Sequence, residues 1–231
     1  MAFTLSEVVP WGRTFDEYLA MFAMSPDDLA LKILGCGDGP ASFNSGLTAR
    51  GGRVVSIDPL YAFTAGEISR RIDETYATVM AQTRKNRDEF TWQTITSVEE
   101  LGRLRLRAMA DFLKDYAPGR LAGRYLAGGL PQLPFADHQF DLALCSHLLF
   151  LYSAQLSATF HLESIKELCR VARQVRIFPL LELGAKPSRH LDTVFNKLQN
   201  LDYRVKRKKV PYEFQKGGNE MMIISAARHQ G

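Results

Sequence analysis

Cysteine is scarce in this chain, and the few cysteines that occur lie far apart. The 231 residues contain three of them, Cys36, Cys145 and Cys169, and no two form a C-x-x-C pair. A disulfide framework or a structural zinc site needs several cysteines at short, regular spacing. The pattern therefore argues against both and favours small buried side chains in a reducing compartment.

Long apolar runs are also missing. The longest, residues 142–152, is interrupted by Ser146 and His147 and is too short to span a bilayer. Residues 1–13 lack a basic segment followed by an apolar core, so a secretory signal is not expected. From these two absences we expect a cytoplasmic protein with no membrane partner.

The excess of positive charge is small. The formal net charge is +4, and much of it falls in two short clusters, one at residues 206–209 and one formed by Arg103, Arg105 and Arg107. Short basic clusters in an otherwise balanced chain are typical of solvated faces. Nucleic acid is therefore a disfavoured partner, although the composition leaves it open.

What the chain does have is a glycine-rich turn between two apolar strands. Residues 31–58 read LKILGCGDGPASFNSGLTARGGRVVSID, and Gly35, Gly37 and Gly39 allow close backbone approach or a positive φ. Asp58 follows about 20 residues later, at the tip of the next strand, where a carboxylate accepts hydrogen bonds from both hydroxyls of a ribose. The segment predicts a nucleotide-cofactor site formed by Gly35, Cys36, Gly37, Asp38, Gly39, Asp58 and Pro59.

Each of these residues also has an explanation without a ligand. Glycine-rich turns are common between strands and helices. Asp38 either approaches a cofactor amino group or caps the following helix, and Asp58 could be a strand-end acid stabilised by a neighbouring helix N-terminus.

The third glycine of the dinucleotide fingerprint G-x-G-x-x-G is absent. It would stand at position 40, where this chain has Pro40, and NAD or FAD is therefore disfavoured. The remaining run Gly35-Cys36-Gly37-Asp38-Gly39 resembles the first motif of class I S-adenosylmethionine-dependent methyltransferases, whose cofactor carries an adenosine but no phosphate.

A second segment carries the same resemblance. Residues 128–152, GGLPQLPFADHQFDLALCSHLLFLY, look like the stretch GDAxxLPFxDxxFDxVxxxxxLxxx of small-molecule methyltransferases related to ubiquinone and menaquinone biosynthesis enzymes. Residues 8–22 and 212–225 are similar to a bacterial group of uncharacterised methyltransferase-like proteins. The resemblance implies S-adenosylmethionine as cofactor, further contacts to it from Gly129, Leu130 and Ser146, and a small-molecule acceptor.

Two positions depart from the family pattern. Ile33 stands where the family usually has an acid before the first glycine, and Gly129 stands where it has an acid that binds the adenine amino group. A methyltransferase-like binding protein without catalysis is thus an open alternative. An RNA or protein methyltransferase is another, although no Asn/Asp-Pro-Pro-Tyr-like motif follows the fourth strand and Cys145 lacks a preceding proline.

The pattern of apolar segments predicts an α/β fold. Strands are expected at residues 31–34, 54–57, 124–127, 140–146, 175–178, 203–210 and 221–225, and helices at 41–49, 154–172 and 187–198. This order matches a Rossmann-like, doubly wound seven-stranded sheet with an antiparallel last strand, as the family has. The long stretch before the third strand has helical spacing, so a helical insertion or cap is expected at 62–120 within a single domain, 1–231.

Methyl transfer from a sulfonium is an in-line displacement, which an enzyme supports mainly by alignment and exclusion of water. An acceptor hydroxyl or amine also needs a base, and His147, directly after the central strand, is the candidate; a local hydrogen bond is the alternative. Arg13, Tyr61 and Tyr152 are predicted to line the acceptor pocket. No metal site is predicted, because His161 and Glu163 are too close in sequence to share a helix face.

Overall fold

A seven-stranded sheet lies at the centre of the computed structural model, which describes Phe3 and residues 9–226. Residues 1–2, 4–8 and 227–231 lie outside that part, including Val8 of the segment 8–22 and most of the stretch considered for a secretory signal. The strands of the sheet are β1 (Lys32–Cys36), β2 (Arg53–Asp58), β3 (Tyr125–Ala127), β4 (Phe140–Ser146), β5 (Ala172–Phe178), β8 (Arg204–Lys209) and β9 (Glu220–Ser225). A separate two-stranded ribbon is formed by β6 (Leu181–Glu182) and β7 (Lys186–Pro187).

The sheet has the order β3-β2-β1-β4-β5-β9-β8. The first five of these strands run parallel, whereas β9 is antiparallel to both β5 and β8. The predicted doubly wound sheet with an antiparallel last strand is confirmed. All five parallel strands therefore end at one edge, which is where ligands bind in open α/β sheets.

The strand predicted at 31–34 is longer than expected. Gly35 and Cys36 continue β1 because they pair with Ser56 and Ile57 of β2 on one side and with β4 on the other. The prediction ended the strand at its first glycine. A strand buried between two neighbours tolerates that glycine, since both of its edges are held by backbone hydrogen bonds.

The helices that flank the sheet are α1 (Phe15–Met21), α2 (Pro26–Leu29), α3 (Phe43–Thr48), α6 (Ala158–Val171) and α7 (Leu191–Asn200). The three helices predicted at 41–49, 154–172 and 187–198 all begin later than expected. The first turn of α6 is fixed by Ser157, whose hydroxyl accepts from Phe160 N–H, and α7 begins only at Leu191 because Pro187 belongs to β7. Among the described residues, no helix combines the length and the apolar character needed to cross a membrane.

Two long helices, α4 (Ala65–Lys85) and α5 (Val98–Leu121), lie between β2 and β3, so the predicted helical insertion is confirmed. Both begin with side-chain caps, from Thr64 and Ser97 respectively. Pro118 does not end α5, which continues to Leu121, and Ala122 N–H bonds to the Pro118 carbonyl. That residues 1–231 form a single domain stays a prediction.

Apolar clusters cover both faces of the sheet. One includes Ile165 and Leu168 of α6, and the other includes Phe43 of α3 together with Ile33 of β1. The three cysteines are buried, as the sequence indicated. Ile33 is fully enclosed, so the position where the family usually carries an acid is part of the core in this protein.

Candidate functional site

A cavity of about 420 Å³ opens at the edge where the parallel strands end. Nine of the ten residues predicted to bind a cofactor line it, and we call them the strand-end wall: Cys36, Gly37, Asp38, Gly39, Asp58, Pro59, Gly129, Leu130 and Ser146. His147 also lines the cavity, whereas Gly35 does not. The structure thus brings together four segments that are distant in sequence, while their binding of a cofactor stays a prediction.

Asp58 is anchored by two backbone groups. Its Oδ2 accepts from Gly39 N–H at 2.9 Å, and its Oδ1 accepts from Leu60 N–H at 2.8 Å, at the start of a 3-10 turn formed by Pro59–Ala62. Burial raises the pKa of Asp58, against the opposing effect of these two donors. A carboxylate oxygen has two acceptor sites. The capping role that the sequence left open is therefore present, and each oxygen keeps a lone pair for a ligand in the cavity.

Asp38 has a different environment. Tyr18 donates its hydroxyl to Oδ1 at 2.9 Å, and Ser56 donates to Oδ2 at 2.7 Å. Burial raises the pKa of Asp38 to about 6, although both hydroxyl donors act in the opposite direction. The interpretation as a helix cap is wrong, because α3 starts after Ser42 with no side-chain cap. Gly35 lies directly beneath Asp38, where a Cβ would overlap the carboxylate.

The glycine loop has a shape that side chains would disrupt. Gly37 has φ +70°, and a Cβ there would lie 2.6 Å from the Leu148 Cδ2 atom. Behind the loop, Tyr61 donates its hydroxyl to the Gly39 carbonyl at 2.7 Å. Tyr61 is buried and absent from the cavity lining, so the expectation that it lines the acceptor pocket is wrong.

The far end of the strand-end wall is poor in polar side chains. A Cβ at Gly129 would lie 3.3 Å from the ring of Pro59, and Leu130 lines the cavity next to them. The family's adenine-binding acid would stand at Gly129. This end of the cavity therefore offers an apolar surface and backbone groups for a flat ring.

His147 lies at the other end, directly after β4, with φ +55°. Its backbone N–H donates to the Phe178 carbonyl at 2.7 Å, and its Nδ1 lies 2.9 Å from the Ser146 hydroxyl oxygen. Burial, together with the positive charges of Arg13 and Arg105, lowers the pKa of His147 well below its ordinary value. The imidazole is therefore neutral at physiological pH and able to accept a proton.

A buried ion pair supports this end of the cavity. Arg105 of α5 donates to both carboxylate oxygens of Glu17 in α1, at 2.5 and 2.6 Å, and Tyr212 donates its hydroxyl to the same carboxylate at 2.9 Å. Burial alone would raise the pKa of Glu17, but Arg105 and the backbone N–H of Thr14 lower it to about 2. The expectation that Arg105 belongs to a solvated basic cluster is wrong, since its side chain is only 1% exposed.

Sequence reasoning missed several residues of the site. Tyr18, Arg105 and Tyr212 all line the cavity, as does Trp11. For Arg105 a signal was available, because it falls on the apolar stripe of α5 with Leu101, Ala108 and Phe112. Tyr18 and Tyr212 carry no comparable signal, because each meets its partner only in the folded chain.

The described residues contain no group of three or more His, Cys, Asp or Glu side chains placed to hold a metal ion. No family model matches the chain.

Two solved structures are among those similar to this chain. Magnesium protoporphyrin IX methyltransferase (ChlM) from Synechocystis PCC 6803 with bound SAH has a TM-score of 0.50 and 12% identity, over 92% of this chain and 81% of that chain. The PH0226 protein from Pyrococcus horikoshii OT3 has a TM-score of 0.49 and 12% identity, over 92% of this chain and 91% of that chain. With its strand order and antiparallel last strand, the chain has the fold of class I S-adenosylmethionine-dependent methyltransferases.

One curated protein is similar in sequence along nearly its whole length. It is the uncharacterised protein MJ0045 of Methanocaldococcus jannaschii, which is 33% identical over 221 residues, or 95% of this chain and 97% of that protein. The chain therefore belongs to the same family as MJ0045.

Proposed function

We propose that the protein transfers a methyl group from S-adenosylmethionine to a small-molecule acceptor. The observation that carries the proposal is the anchoring of Asp58 at the cavity, where the Gly39 and Leu60 N–H groups fix the carboxylate and each oxygen keeps a free lone pair. A carboxylate in this state suits a ribose diol. At Gly39, which lines the cavity, nothing lies within 4 Å of the position that a Cβ would take, so the loop is open there to close approach by a ligand.

The residues of the strand-end wall fit an adenosyl group. Asp58 would accept from the ribose hydroxyls, and Pro59, Gly129 and Leu130 would cover the adenine ring with apolar surface and backbone groups. Asp38 already accepts from Tyr18 and Ser56, so its role is to hold the glycine loop against β2. When bound, S-adenosylmethionine supplies an electrophilic methyl group on a positively charged sulfur.

The acceptor end of the cavity supplies a base and excludes water. Neutral His147 takes the proton that an acceptor hydroxyl or amine loses, and Ser146 holds its Nδ1 in position. Burial, together with the charges of Arg13 and Arg105, lowers the pKa of His147 and keeps the imidazole unprotonated. Alignment of the two reactants in one cavity provides the rest of the rate enhancement expected of such an enzyme.

The protonation state of His147 is testable by NMR. Its imidazole signals are expected to stay constant while the pH is lowered from about 8 to about 6, because burial and two guanidinium groups oppose protonation. The signals are assigned by comparison with His147→Asn, since asparagine tolerates the positive φ at this position. An imidazole that titrates near its ordinary value of 6.5 would contradict the lowered pKa assigned to His147.

Calorimetric titration of the full chain tests the function itself. S-adenosylmethionine and S-adenosylhomocysteine are expected to bind one per chain in the micromolar range or tighter, and NAD, used as a control adenosine ligand, is not expected to bind. If neither sulfur compound binds, the proposed function is wrong.

A binding protein without catalysis is the second candidate, because Gly129 puts no acid beside the predicted adenine position. Incubation with methyl-labelled S-adenosylmethionine and a metabolite extract distinguishes an active methyltransferase from a binding protein. Label that moves to a small product supports the enzyme. Cofactor binding without any transfer, in that extract or in RNA and protein fractions, supports the alternative.

A further inference from the structure

Arg13, one of the cations that line the cavity, has no acidic partner among the described residues. Among residues 9–226 and Phe3, Arg13 forms no ion pair, and its side chain makes a single hydrogen bond, from Nη1 to the Trp11 carbonyl at 2.6 Å. The Arg13 Nε is buried without a hydrogen-bond partner. A guanidinium has five N–H donors, so most of the donors of Arg13 have no partner among the described residues.

Among the described residues, the acid that acts on Arg13 is Glu17, and its charge is already neutralised. Glu17 is bound by both Nη atoms of Arg105 and by the Tyr212 hydroxyl, so the pair of Glu17 and Arg105 contributes no net charge. Burial and the repulsion from Arg105 lower the pKa of Arg13 to about 10, and Arg13 is therefore still protonated at neutral pH. The acceptor end of the cavity consequently carries one positive charge in excess, which is costly to bury without an anion.

The surface around this charge is apolar. We use the name aromatic wall for Trp11, Phe90, Tyr152, Phe178, Tyr212 and Phe214, all of which line the cavity. Small-molecule sites commonly consist of an apolar lining with a few polar groups that fix orientation. In this half of the cavity, Arg13 is the charged group with donors to spare.

Arg13 lies on the acceptor side of the cavity. Its charge lowers the pKa of His147 and acts on Tyr152 and Tyr212. In contrast, the pKa of Asp58 is governed by burial and by the backbone N–H groups of Leu60 and Gly39. The contacts of this segment agree: Arg13 Nη1 donates to the carbonyl of Trp11, and Arg105 Nη1 donates to the carbonyl of Gly12 at 3.4 Å.

We propose that the acceptor is an apolar or aromatic monocarboxylate whose carboxylate is bound by Arg13. This inference rests on the proposed function, because it assigns the two halves of one cavity to cofactor and acceptor. A single excess positive charge matches a monoanion, and the planar guanidinium matches a carboxylate through two parallel hydrogen bonds. The aromatic wall accommodates the rest of the molecule.

Matched pairs of probes test the proposal on the full chain by calorimetry, with and without saturating S-adenosylhomocysteine. The pairs are 1-naphthoate with 1-naphthamide, and octanoate with octanamide, one rigid and one flexible. At least one carboxylate is expected to bind about 10- to 100-fold more tightly than its amide, as a charged hydrogen-bonded pair provides. In Arg13→Met this preference disappears and amide binding remains.

Two further variants serve as controls. Arg107→Met removes the same charge from the exposed face of α5 and is expected to leave the preference unchanged. Arg13→Lys keeps the charge but not the planar donors, and is expected to retain part of the preference even if Arg13→Met folds poorly.

The results that overturn the proposal are distinct from failure of the proposed function. Equal affinity for acids and amides, no binding of any probe, or a preference that survives in Arg13→Met each overturn it. Loss of S-adenosylhomocysteine affinity in Arg13→Met also overturns it, because Arg13 would then bind the carboxylate of the cofactor. If wild-type protein binds no S-adenosylhomocysteine, the proposed function fails, and the titrations without it still decide whether Arg13 binds a carboxylate.

Discussion

Replacement of Asp58 by alanine is expected to weaken binding of S-adenosylhomocysteine by about 100-fold or more, because hydrogen bonds to a charged acceptor contribute about 1.5–3 kcal/mol each and two are lost. The change also removes the acceptor for the Gly39 and Leu60 N–H groups and so loosens the loop. Calorimetry at constant temperature gives the affinity, and urea unfolding of the same sample gives the stability. Affinity within a few-fold of wild type would show that Asp58 is only a structural cap.

A matched control separates the loss of a cap from the loss of a ligand contact. Thr64 caps α4 through hydrogen bonds with Glu67 and does not line the cavity. Thr64→Ala is expected to lower the free energy of unfolding by about 1 kcal/mol, as loss of an N-cap does, with no change in cofactor affinity. Asp58→Asn is the milder companion, since it keeps one acceptor oxygen and removes the charge. If cofactor affinity falls in Asp58→Asn, falls further in Asp58→Ala and stays unchanged in Thr64→Ala, the effect is due to the lost contact between Asp58 and the ligand.

The strand-end wall was predictable because its signals are local. The glycines and Asp58 lie within one strand-turn-helix-strand unit, and parallel strands bring Gly129 and Ser146 to the same edge whatever their side chains are. Placement of these residues therefore needs only the order of the strands. What sequence could not show was how Asp38 is used, because its two hydroxyl donors come from α1 and β2.

The acceptor end of the cavity was not predictable, because its contacts join residues that are far apart in the sequence. Arg105 is separated by 88 residues from Glu17, and Tyr212 by 195 residues. Such contacts depend on how α1, α5 and the segment between β8 and β9 pack, and no local pattern encodes that packing. Arg13 was expected at the acceptor pocket. Only the structure indicates that it has no acidic partner among the described residues, because Arg105 binds both carboxylate oxygens of Glu17.

Replacement of Arg105 by methionine is expected to destabilise the fold by about 3–5 kcal/mol, because the substitution leaves a buried carboxylate without its cation. Glu17 would keep only the Tyr212 hydroxyl and the donors of Thr14. Urea unfolding at pH 7.5 measures the loss. The exposed ion pair between Arg84 and Glu99, with side chains 57% and 63% accessible, provides the control. Arg84→Met is expected to cost less than about 1 kcal/mol.

The pH dependence of the stability lost in Arg105→Met identifies the Glu17 carboxylate as the cause. In wild type the pKa of Glu17 is about 2, below its ordinary 4.5, so its stabilisation is complete above pH 4.5 and is lost as the pH falls through about 2. Without Arg105, burial becomes the dominant effect and is expected to raise this pKa above 4.5. The folded variant then takes up a proton before the unfolded chain does, so its deficit relative to wild type shrinks when unfolding is repeated at pH 5.0. A deficit of equal size at both pH values, or one no larger than that of Arg84→Met, would show that the ion pair does not hold α1 and α5 together at the cavity.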